Sequence, residues 1–101
     1  MKRALAVLVP VLLLTGCAAP TPDDAYLSTV RESIAAVASS PDEDLIRLGN
    51  QVCDLFDAGG FTDGMIELIR LAKENGMTAA EAGKLAGAAT GAYCPEYADN
   101  F

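Results

Sequence analysis

The chain opens on an apolar block and then changes rhythm. Ala4 to Leu14 is apolar throughout, with Pro10 inside the run. From Asp23 on, apolar positions recur at three- and four-residue intervals, the spacing of one face of a helix. Tyr26, Leu27, Val30, Ile34 and Val37 form the first stripe. Asp23 and Asp24 sit at its start, where the positive end of the helix dipole favours carboxylates. Ser39-Ser40-Pro41 ends it. Ser40 with Glu43 predicts a capping box, with Pro41 at the first helical position, where a missing N–H is harmless. The second helix carries Leu45, Leu48, Val52, Leu55 and Phe56 on one stripe and stops at Gly59-Gly60. Met65, Ile66, Ile69 and Ala72 predict a third helix, closed by Asn75-Gly76. Thr78 with Glu81 predicts another capping box, opening a fourth helix with Ala82, Leu85, Ala86, Ala89 and Tyr93 inward; Pro95 ends the pattern. No segment alternates with period two over a useful length. The fold class is all-α, a small four-helix domain.

The N-terminal block is an address. Met1-Lys2-Arg3 places two positive charges ahead of the apolar run, the n-region and h-region order of an export signal. Ala4 to Leu14 is 11 residues, about 16 Å of helix against the roughly 30 Å of a bilayer core, too short for a transmembrane anchor. Leu14-Thr15-Gly16-Cys17 closes the run. It resembles the lipobox of bacterial lipoproteins, in which a branched apolar residue and two small ones precede the cysteine that takes a diacylglycerol. The resemblance implies a cut before Cys17, a thioether to its thiol, and palmitate among the acyl groups. The bland alternative is an ordinary secreted protein cut near Ala18-Ala19. The expected organisation is a signal peptide over residues 1–16, lipidated Cys17 and a proline-stiffened spacer to residue 22, and a helical domain over 23–101.

Cysteine count fits that division. Three cysteines in an exported chain leave one over. If Cys17 carries lipid, Cys53 and Cys94 remain as one pair in an oxidising compartment, a single staple for the domain. Charge changes the picture too. The whole chain has 7 basic and 14 acidic residues, a formal −7; without residues 1–16 it has five basic against fourteen acidic, a formal −9. Such a body repels nucleic acid and gains nothing from an anionic membrane surface, so lipid rather than a basic patch would hold it there. There is no His, which removes Ser-His-Asp and Cys-His catalysis and most zinc sites.

Other candidate chemistry reads as structure. Asp42-Glu43-Asp44 is better explained by the first turn of helix two than as a metal cluster. Asp54, Asp57 and Asp63 around Gly59-Gly60 lack the spacing and closing glutamate of a calcium loop. Cys53 and Cys94 form no CxxC arrangement, which points to structural pairing rather than redox catalysis. No metal and no cofactor are expected. Gly83, Gly87 and Gly91 repeat every four residues on helix four. Each costs about 1 kcal/mol relative to Ala in a helix, which suggests a compensating close approach. Packing against helix two is the leading explanation, a weak homodimer or partner helix the second.

Several of these residues also carry a resemblance. Asp-x-x-Tyr-Leu at Asp23 to Leu27, Gly49-x-x-Val52-Cys53-x-x-Phe56-x-x-Gly59, Gly76-Met77-Thr78, and Ala89-x-x-x-Tyr93-Cys94-Pro95-x-Tyr97 resemble the domain of unknown function 732 (DUF 732) family in order and spacing. That family comprises small secreted or lipid-anchored helical proteins of actinobacteria and their temperate phages. The resemblance implies a Cys53–Cys94 disulfide and an envelope location, and no activity.

Function is accordingly expected to be that of a lipid-anchored protein on the outer leaflet of the plasma membrane, binding an envelope protein partner. A prophage lipoprotein that excludes competing phages is one form of it. A carrier of a small apolar ligand is the alternative, and an enzyme the least favoured.

Overall fold

The computed structural model describes residues 21–101, and among these every regular element is helical. Helix α1 (Pro22–Ser33) starts one residue ahead of the expected Asp23. Thr21 is its N-cap, its hydroxyl accepting from the Asp24 amide at 3.1 Å, and Pro22 takes the first helical position. The stripe predicted to run on to Val37 breaks at Ile34, whose backbone is extended, and resumes as a single 3₁₀ turn, Ala35–Val37. Tyr26, Val30 and Ile34 are fully buried, one residue per helical turn.

The Ser40 capping box does not form. The next helical stretch, Asp42–Glu74, has Pro41 as its N-cap without a side-chain cap bond. Arg31 explains the difference. Its guanidinium donates to the Ala38 and Ser40 carbonyls at 2.7 and 3.0 Å and pairs with Asp42. The connection is held from the α1 side, and the Pro41 carbonyl takes the first helical amides, Asp44 and Leu45.

Within Asp42–Glu74, Gly60 has φ 82° and ψ 175°, a region open essentially to glycine alone. It divides the stretch into α2 (42–59) and α3 (61–74). Gly64 lets the two arms touch beside this break: a Cβ there would run into the Phe56 ring and lie 3.1 Å from the Leu55 carbonyl oxygen. Leu45, Val52, Cys53 and Phe56 bury the core face of α2, while Leu48 and Leu55 are half-buried. On α3 the buried residues are Gly64, Leu68 and Ala72. Ile66, expected inward, is 64% exposed; the phase of this helix is set by contact with Phe56, and Ile66 falls outside it.

Helix α3 ends in a Schellman motif. Gly76 adopts φ 85°, the Met77 amide reaches back to the Ala72 carbonyl at 2.9 Å, and the Gly76 amide to Lys73 at 3.3 Å. Helix α4 (Ala79–Tyr93) follows with the predicted capping box in full, Thr78 Oγ1 accepting from the Glu81 amide and Glu81 accepting from the Thr78 amide. Ala82, Leu85, Ala86 and Ala89 are completely buried, so α4 is the central element, contacting α1 on one side and α2 and α3 on the other. A 3₁₀ segment, Pro95–Asn100, closes the chain. Cys53 and Cys94 are bonded, their Cα atoms 6.0 Å apart across 41 positions. No helix among the described residues is long and apolar enough to cross a membrane.

Candidate functional site

Of the residues singled out in the sequence, Leu14, Thr15, Gly16 and Cys17 lie outside the described residues. Cys53 and Cys94 come together in the buried disulfide that ties α2 to the end of α4. Three tyrosines tie the same helices together. Tyr26 is buried, and its hydroxyl donates to the Leu45 carbonyl at 2.6 Å. Its ring crosses α2 where Gly49 leaves room; a Cβ on Gly49 would meet the Tyr26 ring at 2.7 Å. Burial pushes the Tyr26 hydroxyl up to about 12. Tyr93 packs against Tyr26 with the rings tilted at 54° and their centroids 5.2 Å apart, and it donates to Asp23 Oδ1 at 2.6 Å, tying the start of α1 to the end of α4. Burial first, then the Asp23 carboxylate, raise its pKa well beyond the ordinary tyrosine range. Tyr97 donates to Asp57 Oδ1 at 2.8 Å, and that bond chiefly raises its pKa too. Each phenol is thereby kept as a neutral donor, a structural use.

Several acidic groups are held in a similar way. Asp42 pairs with Arg31 and Asp44 with Arg47, across α1 and within α2 respectively. Arg70 bridges Glu67 and Glu74 on the exposed side of α3. Asp57, on the last turn of α2, is the acceptor for Tyr97.

The glycine stripe corrects an expectation. A Cβ built on Gly83, Gly87 or Gly91 would meet nothing within 4 Å. The stripe therefore does not pack on α2. The close approaches belong to Gly49 and Gly64, neither of which lies in a repeat. Gly87 and Gly91 instead border a shallow groove between α4 and α1, with Thr21, Pro22, Ala25 and Thr29 on its other bank.

A second concavity lies between the arms of α2 and α3, away from the break at Gly60. It is an open cleft of about 430 Å³. Leu45, Leu48, Val52 and Leu55 line it from α2, Leu68 and Leu71 from α3, and Met77 and Leu85 are among the residues at its floor. Asp44, Arg47, Gln51 and Asn75 form much of its polar rim. Leu48 and Leu55 were expected in the core; their half-exposure is what makes the cleft apolar. Periodicity alone marks such residues as inward-facing and carries no sign that the opposing arm stands off from them.

Comparison with known proteins adds one finding to this geometry. The profile of a family described as "Protein of unknown function (DUF732)" matches residues 22–96. This chain belongs to the DUF732 family. The match spans the helical domain from the first residue of α1 to just past Cys94, so the disulfide, the Tyr26–Gly49 crossing and the cleft all fall within the DUF732 region. No curated protein and no solved structure matches the chain.

Proposed function

We propose that this DUF732 protein is a lipid-anchored envelope protein that holds another protein at the outer face of the plasma membrane. The observation that carries the reading is the division of its sulfur. Two cysteines, Cys53 and Cys94, are consumed by the disulfide inside the fold, as an oxidising compartment favours. The third, Cys17, stands four residues ahead of Thr21 at the end of Leu14-Thr15-Gly16-Cys17. Those four residues reach at most about 14 Å, so an acyl group on Cys17 would hold the domain close against the bilayer. Labelling producing cells with radioactive fatty acid tests this: the label should enter the wild-type protein and be lost in Cys17→Ala.

The interaction role draws support from the apolar cleft, a surface feature of the size and lining that binding sites favour. No catalytic step is part of the reading. A prophage-encoded form, excluding competing phages, would be favoured by a gene lying beside phage repressor or integration genes. The same cleft favours a second reading, carriage of a small apolar ligand. Native mass spectrometry of the purified protein separates the two: an apolar molecule retained through purification supports the carrier, and a partner captured on intact cells supports the interaction role.

A further inference from the structure

We propose that the solvent side of α3 binds the same side of α3 in a second copy of this chain, the two helices antiparallel. The inference does not depend on lipid at Cys17. At about 100° per residue, the apolar positions of α3 spread over about 220° of its circumference, from Leu71 to Ile66, roughly twice the stripe that one packing face needs. The core uses the middle of that arc, Gly64, Leu68 and Ala72. On one flank Leu71 opens on the cleft. On the other, Met65 and Ile69 are half-buried and Ile66 is 64% exposed, the most exposed large apolar side chain among the described residues. Spacing points to a helix as the occupant. Thr62, Ile66, Ile69 and Lys73 follow one another at intervals of four, three and four, the seam spacing of two helices packed side by side. Charge points to a second copy. The seam has Thr62 and Asp63 at one end and Lys73 at the other, and neither Asp63 nor Lys73 has an ion-pair partner among the described residues. About a two-fold axis between Ile66 and Ile69, Ile66 of one copy meets Ile69 of the other. Lys73 then meets Thr62, with the Asp63 carboxylate beside it. The same contact satisfies both ends of the seam, as an isologous interface requires. Parallel pairing would set Lys73 against Lys73 and Asp63 against Asp63. The glycine stripe of α4 offers no comparable side chains to bury. A specific interface usually buries about 1,600 Å² in total; one short helix per copy gives less, so the dimer is weak and forms at high concentration.

The test uses the chain from residue 17 onward with Cys17→Ser, so that no acyl group can bring copies together. Sedimentation equilibrium from about 10 µM to about 1 mM should show association to a dimer. Ile66→Lys, a change at an exposed position, should weaken it about tenfold or more. Lys73→Glu should weaken it several-fold. Adding Asp63→Lys to that variant should restore most of the loss, because antiparallel copies bring these two positions together. Gly87→Leu, on the open face of α4, should leave association unchanged. Circular dichroism checks that each variant is folded. A chain that stays monomeric across the range overturns the proposal. So does a dimer indifferent to Ile66→Lys, one lost in Gly87→Leu, or one that the paired charge reversal fails to rescue. A photo-crosslinking residue in place of Ile66 on intact cells should give an adduct of twice the chain's mass. Adducts with other proteins alone overturn the second copy as occupant and leave the interaction role standing.

Discussion

Alanine in place of glycine should act with opposite signs at two helical positions of this chain. At Gly49 the change adds helix propensity worth about 1 kcal/mol. It also puts a methyl group 2.7 Å from Tyr26 Cζ and 2.9 Å from its hydroxyl, well inside van der Waals contact. The atoms in the way cannot swing aside easily, because the Tyr26 ring is 1% exposed and its hydroxyl is bonded to Leu45. Overpacking of a full core costs about 1–3 kcal/mol, and a hydroxyl pushed off its only acceptor adds about 1–3 kcal/mol more. Set against the propensity gain, Gly49→Ala should destabilise by about 1–5 kcal/mol, with Tm falling roughly 4–8 °C for each kcal/mol in a domain of this size. At Gly87, where the added methyl meets nothing within 4 Å, the propensity term stands alone. Gly87→Ala should stabilise by about 0.5–1 kcal/mol. Urea and thermal unfolding followed by far-ultraviolet circular dichroism read both variants. A stabilised Gly49→Ala, or a destabilised Gly87→Ala, would refute the assignment of the close approach to Gly49 and of the open face to Gly87.

Three further outcomes follow from the same contacts. Replacing Cys53 and Cys94 with Ala together releases a loop spanning 41 positions and should cost about 4 kcal/mol in the chain-entropy account, measurable as a drop in urea midpoint. Thr78→Ala removes the hydroxyl that caps α4 and should cost about 1 kcal/mol, while Ser40→Ala, at a cap that does not form, should change stability far less. Tyr26 and Tyr93 both ionise later in the folded protein than the ordinary 10.0, so the folded state holds their protons more tightly than the unfolded one. Their contribution is complete below pH 10 and is lost as pH rises from 10 toward 12; an absorbance titration of the phenols should lag that of the unfolded chain.

Local rules were enough wherever the deciding atoms lie within a few residues of one another. The Thr78–Glu81 capping box and the turn at Gly76 both involve partners within five positions, and both were legible in order and spacing; the Thr21 cap of α1 is as local, but Thr21 and Pro22 read as spacer. The Cys53–Cys94 bond was legible for another reason: setting Cys17 aside left one pairing. What escaped depends on distant partners. Ser40 has the right neighbour for a capping box, yet Arg31 on α1 holds the Ala38 and Ser40 carbonyls and moves the cap to Pro41. On α3, stripes through Ile66 and through Leu68 have almost equal periodicity; the contact of Gly64 with Phe56 across the Gly60 break chooses Leu68. Gly49 needs to be glycine because of Tyr26, twenty-three positions earlier. The regular spacing of Gly83, Gly87 and Gly91 drew the close-packing role to the wrong glycines. The cleft was hidden for a related reason, since half-buried and fully buried leucines have the same period.

The division of sulfur between membrane and fold can be weighed directly. Intact-mass and peptide analysis of the mature protein from its producing cells, alkylated under denaturing conditions without reductant, should show a chain beginning at Cys17 with a diacylglyceryl mass on that residue. Cys53 and Cys94 should remain unalkylated and appear as one linked peptide pair. A chain starting elsewhere without acyl mass, or alkylation at both Cys53 and Cys94, would contradict it.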